Sequence, residues 1–514
     1  MNWAFNIINL EREQRKIIFG RYWSMKKLFI LLPLCFSLIT HAQCIVKNSQ
    51  GQPTSLKYDA LYDLLKNAPI CPPDVSALKT SLRQKGFNIK PAMVANSGFH
   101  NPQFGNFSFF ESVIGPGVAP GDFFFGHFSG FIDDVLSLDQ EPARNKLLIE
   151  LIVWDPRKEL FNFYELRGKS QGIQWFYRGD SSDALADNRF LYQDPPPHTP
   201  KFGERMRCSA CHVSGGPIMK ELVRPHNDWW VENRPLPLRG EISNDINFIL
   251  RELIDANNFS SLVMAGINKL EKSLVYKNIK SHLTLQERLR PLFCETEINL
   301  ESDPDAFESS LETLQIPAAF FVNPKLSKQV IKITYGEYQD LLVHFRMSFP
   351  DSGRRDADHA WLTPVKGYSD HQAVESLIND GIIDNDFVAK VYSIDMKNPI
   401  LSTTRCELLK LLPLSPENWK QNFVTNLKAS TQAGAQELAD LLENPRLGSD
   451  FFQIQAQAYL QEVQQLLTTQ EGAHIFFKKL LDLRTRVFES EISTNPLGQI
   501  LEPGFKIVFP VQAS

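Results

Sequence analysis

The 514-residue chain has no excess of positive charge: 54 Lys and Arg stand against 59 Asp and Glu, a formal net charge of −5. With a pI near 6.2, this speaks against a general nucleic-acid binder, which needs a basic surface to displace counterions from phosphates. The chain lacks any apolar run long enough to cross a bilayer, since the one from Leu28 to Ile39 is too short. The mature protein is therefore expected to have no transmembrane span. There is no internal repeat and no long low-complexity tract. Cysteine (7) and histidine (11) are scarce, and they do not supply the two Cys/His half-sites of a structural zinc centre.

What is present begins with an ordinary globular balance, 43% hydrophobic and 22% charged, enough for about two to four domains. Met25-Lys26-Lys27 supplies a positive start, the Leu28–Ile39 run follows, and Thr40-His41-Ala42 precedes Gln43. This is the layout of a secretory signal peptide over 25–42. Residues 1–24, mixed and charged, are read as an upstream extension from a mis-called start. Export to the periplasm or beyond is expected. Cys35 leaves with the signal. If Cys208 and Cys211 are used together, Cys44, Cys71, Cys294 and Cys406 remain, an even number in an oxidising compartment. Cys44 with Cys71 and Cys294 with Cys406 is the simplest pairing, and two other connectivities stay open.

The texture predicts an α+β protein. From Phe104 to Arg178, aromatic and β-branched runs such as FGNFSFFESVI and KLLIELIVWD alternate with Gly, Pro and Asp, which predicts an antiparallel sheet with hairpins. Residues 43–200 form this β-rich region. The segment DPPPHTP, 194–200, is a stiff connector. Residues 201–400 are expected to be mostly helical, with helices near 243–256, 262–277, 284–293 and 304–314 and a loop-rich stretch over 350–400. Residues 401–514 form a helical C-terminal region, with helices over 433–442, 451–468 and 472–489. The closing FKIVFPV is expected to be a strand returning to the early sheet.

The chemistry-bearing motif is Cys208-Ser209-Ala210-Cys211-His212. Two thiols three residues apart reach the two vinyl groups of one porphyrin, and the next histidine is placed to bind its iron. A zinc site lacks its second half, and a thioredoxin-like dithiol would open a helix after a strand, which the Pro-rich approach does not resemble. Covalent haem attachment is the favoured reading, and it agrees with the export signal.

Cys208–His212, followed by Gly215-Gly216-Pro217-Ile218-Met219, resembles the bacterial c-type cytochromes over about residues 201–235. The resemblance implies one haem c, with thioethers to Cys208 and Cys211 and His212 as the proximal iron ligand. It also implies a Gly-Pro strap, here Gly216-Pro217, that packs on the histidine and accepts its ring proton. The strap comes sooner after the histidine than in small mitochondrial-type cytochromes. With no second C-x-x-C-H, dihaem peroxidases and multihaem cytochromes are poor matches. Met264 lies at about the separation of the distal methionine in small cytochromes, and His226 is the best histidine candidate for that position. A packed core methionine and a hydrogen-bonded loop histidine are the plain alternatives. Among the basic residues clustered here, Arg207 and Arg224 are candidates to hold haem propionates.

Function is thus expected to be electron transfer by an exported monohaem cytochrome with a redox partner protein. A haem-dependent oxidoreductase with an open distal site, and a non-catalytic haem sensor or structural protein, are the alternatives. The G-x-S-x-G match at 168–172 reads as a hairpin turn rather than a hydrolase elbow, because strand-like runs lie on both sides. Asp180, Asp183 and Asp187 read as a capped helix start rather than a calcium loop. Asp356, Asp358 and His359 read as a polar loop.

Overall fold

The computed structural model describes residues 44–48, 50–94, 107–129, 146–169, 172–189, 212, 214–217, 244–301, 312–345, 363–494 and 507–508. The stretch 25–42 expected to be a signal peptide, residues 1–24, and Arg207, Cys208, Cys211, Arg224, His226, Asp356, Asp358 and His359 lie outside the described residues.

The fold is α+β. Six strands, β1 (Asn88–Val94), β2 (Phe107–Ile114), β3 (Phe123–Ser129), β4 (Lys146–Asp155), β5 (Leu160–Lys169) and β6 (Gly172–Asp180), form one antiparallel meander in sequential order. Both faces are buried, and the strands alternate between two cores. Phe123, Phe125, Leu151, Val153, Tyr164 and Leu166 pack towards α1 (Ala60–Lys66) and α2 (Val75–Gln84). Phe124, Ile152, Phe161 and Phe163 point the other way. That second face is covered by α3 (Ser181–Arg189) through Ala184, by α5 (Ala256–Lys272) through Phe259, Val263 and Leu270, and by α6 (Leu274–Ser281) through Tyr276. A run such as Phe123-Phe124-Phe125 therefore has no polar side, as expected of a strand covered on both faces. β1 was not foreseen because it contains Pro91, which breaks a strand pattern. As the edge strand it tolerates a residue with no N–H to donate.

The helical part has its own core, which runs from Leu285 to Leu480 and so joins residues on both sides of position 400. It is built on α7 (Leu285–Phe293), α8 (Tyr335–His344), α9 (Tyr368–Asn379), α10 (Asn385–Ser393), α11 (Thr403–Glu407), α12 (Trp419–Ala429), α13 (Ala435–Glu443), α14 (Ser449–Leu466) and α15 (Gln470–Thr494). The short α4 (Asn244–Glu252) precedes α5.

Three expectations are corrected. The stretch 350–400 carries two helices, α9 and α10. They bury Val374 and Leu377, and Phe387, Val388 and Val391, and Asp384 caps α10 through Phe387 N at 2.7 Å. The end of the expected helix 304–314 is strand β8 (Thr313–Ile316), whose alternating burial pairs it with β9 (Ile331–Thr334). The closing segment does form a strand, β11 (Ile507–Val508), but it pairs with β7 (Glu297–Glu301) in a three-stranded sheet with β10 (Thr363–Lys366), not with the early sheet. Disulfides join Cys44 to Cys71 and Cys294 to Cys406. Among the described residues no helix is long and apolar enough to cross a membrane.

A buried carboxylate ties α1 to the sheet. Asp59 caps α1, accepting from Tyr62 N at 2.8 Å, and its other oxygen accepts from Tyr164 Oη at 2.5 Å and Asn162 Nδ2 at 2.7 Å. Burial pushes its pKa up to about 6 from 3.8, against those hydrogen bonds, which lower it. Between the two values the folded state keeps a proton that the unfolded state has released. The contribution of Asp59 to stability therefore falls as pH rises from about 4 to about 6. Urea unfolding at several pH values should show an Asp59→Asn variant gaining stability relative to wild type across that interval. Parallel pH profiles would contradict the assignment.

Candidate functional site

Of the motif and its sequel, the structure describes His212 and residues 214–217. Gly215 N–H donates to His212 O at 2.8 Å, closing a tight turn, and Gly215 takes φ +75°. That conformation suits glycine, and a Cβ there would meet Ser181 O at 2.7 Å. The turn folds the histidine ring back on the strap, with His212 Nδ1 2.7 Å from Gly216 O. A carbonyl oxygen only accepts, so Nδ1 carries the proton and the ring lone pair sits on Nε2. The half-buried ring also lies tilted against Phe163 of β5, centroids 5.3 Å apart.

Three elements hold this strap. Ser181, buried at the start of α3, donates its hydroxyl to Gly215 O at 2.7 Å and accepts from Phe161 N at 2.9 Å. Its position is fixed by Asp180, whose carboxylate accepts from Ser182 N at 3.0 Å and from Lys158 Nζ at 2.7 Å. Asp180 is therefore used as a helix cap and in an ion pair. Tyr276 of α6 donates to Ser214 O at 2.6 Å. Burial, with the nearby Glu271 charge, pushes its phenol well above the ordinary range, so it stays a donor. Finally, Gly266 of α5 crosses Gly121, in the β2–β3 connection, so closely that a Cβ on Gly266 would meet Gly121 O at 2.5 Å and Pro217 Cγ at 2.9 Å. Sheet, helix and strap meet there, and only residues without a side chain permit it.

Met264 is near this helix face in sequence but not in direction. Two residues before Gly266, it is turned by about 200° around α5. Its sulfur accepts from Tyr368 Oη at 3.0 Å, and Tyr368 in turn accepts from Gln372 Nε2 at 2.8 Å. Burial pushes the Tyr368 phenol up to about 12, which keeps the proton it donates. The structure thus brings together His212, Gly216 and Pro217, while Met264 packs at the edge of the core that holds Phe163 and contacts α9 through Tyr368. Sequence reasoning missed Ser181, Tyr276, Phe163, Gly121 and Gly266. The glycine pair has no motif, and Ser181 and Tyr276 lie far from His212 along the chain. At the G-x-S-x-G match, β6 follows β5, with Lys169 opposite Gly172, so the helix required after an elbow serine is absent. Among the described residues, no group of three or more His, Cys, Asp or Glu is arranged to hold a metal ion.

No protein-family model matches the chain, and no curated protein or solved structure matches it either.

Removing one anchor tests this arrangement. Tyr276→Phe leaves the Ser214 carbonyl without its buried donor and should cost about 1–2 kcal/mol in denaturant unfolding. Gly215→Ala should cost at least as much, because it combines a disfavoured φ with a backbone clash. Unchanged midpoints in both would show that the strap is not held as described.

Proposed function

We propose that the chain is an exported monohaem c-type cytochrome that transfers electrons. The observation carrying the proposal is the hydrogen bond from His212 Nδ1 to the Gly216 carbonyl, directly after a C-x-x-C-H sequence. It selects the tautomer in which Nε2 is the coordinating nitrogen, and it raises the basicity of the ring as a ligand. The residues fit the group on that count: Cys208 and Cys211 would hold it as thioethers, His212 would ligate the iron, and Arg207 and Arg224 are the candidates for its propionates. When bound, haem supplies a one-electron ferric/ferrous couple between a reduced donor protein and an oxidised acceptor. The chain's own work is to keep the imidazole in one orientation. Ser181, Tyr276 and the Gly121–Gly266 crossing do so by fixing the strap from three sides.

A second reading is an open distal side that reacts with peroxide or oxygen; in the first, Met264, whose sulfur keeps one lone pair beside the hydrogen bond from Tyr368, or His226 fills that position. The distal position separates the two readings. The protein should be matured in cells with haem-attachment machinery and carry haem that survives denaturation. A Cys208→Ala, Cys211→Ala variant should lose it, and equal retention would defeat the proposal. Absence of carbon monoxide binding by the reduced protein supports electron transfer, whereas prompt binding supports the second reading.

A further inference from the structure

The helical part holds a cleft of about 780 Å³ that plays no part in the reading above. Its size lies within the range of small organic ligand sites. One wall is α15, which presents His474, Ile475 and Lys479. His474 stacks on His344, at the end of α8, with centroids 3.9 Å apart and planes 18° apart. Phe345 meets the two rings edge-on, at 4.8 Å from His344 and 6.0 Å from His474. Phe320, Pro399 and Ile400, all buried, add apolar surface.

A second wall is the turn from Asp395 to Leu401. Both of these residues have positive φ, 54° and 50°, which costs a non-glycine residue of order 1 kcal/mol or more and persists only where the surroundings enforce it. Here they do. Asp395 accepts from Asn398 Nδ2 at 2.8 Å and Ser402 Oγ at 2.7 Å, and Leu401 N donates to Glu295 Oε2 at 2.9 Å. The buried Arg405 donates to Pro399 O at 2.7 Å and to Ile394 O at 3.3 Å. The Cys294–Cys406 disulfide ties the same segment to α7. The wall is therefore shaped in advance of any ligand, which lowers the entropy lost on binding.

Charge accounting gives the sign of the ligand. Lys478 is paired with Asp482 at 2.7 Å. Asp395 takes its hydrogen bonds from two neutral donors and so keeps its charge, which acts on Lys479 from beyond ion-pair distance. Lys479 is half-buried and donates to Lys397 O at 3.0 Å. An ammonium has three N–H groups, and among the described residues no carboxylate pairs with this one. Burial pulls its pKa down, partly offset by Asp395, so an arriving anion would relieve an unfavourable charge. A single cation with ring and aliphatic walls suits one carboxylate on a flat ring better than a polyphosphate.

We propose that this cleft is a binding site for a small aromatic carboxylate, with the ring against the His344–His474 pair and Ile475 and the carboxylate on Lys479.

The test is calorimetric titration of the full chain with 2-naphthoate, beside 2-naphthol and acetate. Naphthoate should bind with a Kd on the order of 0.1 mM, and both controls should bind at least about tenfold more weakly. Lys479→Met should weaken naphthoate binding by about tenfold or more. Because Lys479 also lies over the Phe320 ring, centroid distance 5.6 Å, a second variant guards against misfolding. Ile475 is 61% exposed, so Ile475→Glu leaves the core alone and places a repelling charge at the rim; it should weaken binding likewise. No naphthoate binding at millimolar concentration, equal binding of naphthol, or unchanged affinity in Ile475→Glu would overturn the proposal.

Discussion

Backbone touches backbone where Gly266 of α5 crosses Gly121 beside the sheet, and the rest of the candidate site depends on that contact. It draws α5 down onto the sheet, so that Phe259, Val263 and Leu270 cover Phe124, Ile152 and Phe163. It also leaves a place for Pro217, which fixes where Gly216 can put its carbonyl. From there the orientation of His212 follows through one 2.7 Å hydrogen bond. The sheet is therefore more than a preceding domain. It supplies Phe163 to the histidine ring, and β6 leads directly into α3, whose first residue Ser181 holds the strap. This gives the β-rich region a structural role that its sequence alone did not declare.

The helical part uses a different device. Glu295, Lys366, Asp370 and Arg405 are all buried, with Lys366 Nζ 3.0 Å from Asp370 and Arg405 Nη2 3.5 Å from Glu295. Buried ion pairs of this kind add little net stability, because desolvation offsets their attraction. Their geometry here accounts for something else: Glu295 and Arg405 hold the Asp395–Leu401 turn in conformations it would not adopt alone. Both halves of the protein thus spend buried polar groups on fixing loops, one beside His212 and one beside the cleft.

Much of the fold was legible in the sequence where a pattern is local. Aromatic and β-branched runs from Phe107 onwards become strands, capped apolar stripes become α5 and α7, and an uncapped one becomes α14. The pairing of four cysteines took the simplest of three connectivities. What was not legible depends on distance or context. Pro91 hid an edge strand, and α9 starts after Gly367 with no side-chain cap to mark it. At the site, the motif pointed to His212 and the strap, but its anchors Ser181 and Tyr276 are hydrogen-bonded across 34 and 62 residues. Met264 was reached through a family spacing, and its contact with Tyr368 of α9, 104 residues away, is one that spacing does not encode.

The account rests on Cys208, Cys211 and His212 forming one haem-attachment site, and mass spectrometry of a single tryptic peptide tests this most directly. Cleavage after Arg207 and Lys220 releases Cys208–Lys220. From protein matured with haem-attachment machinery, this peptide should carry the added mass of one haem and have no free thiol. The same peptide recovered unmodified, with both thiols open to alkylation, would contradict the account.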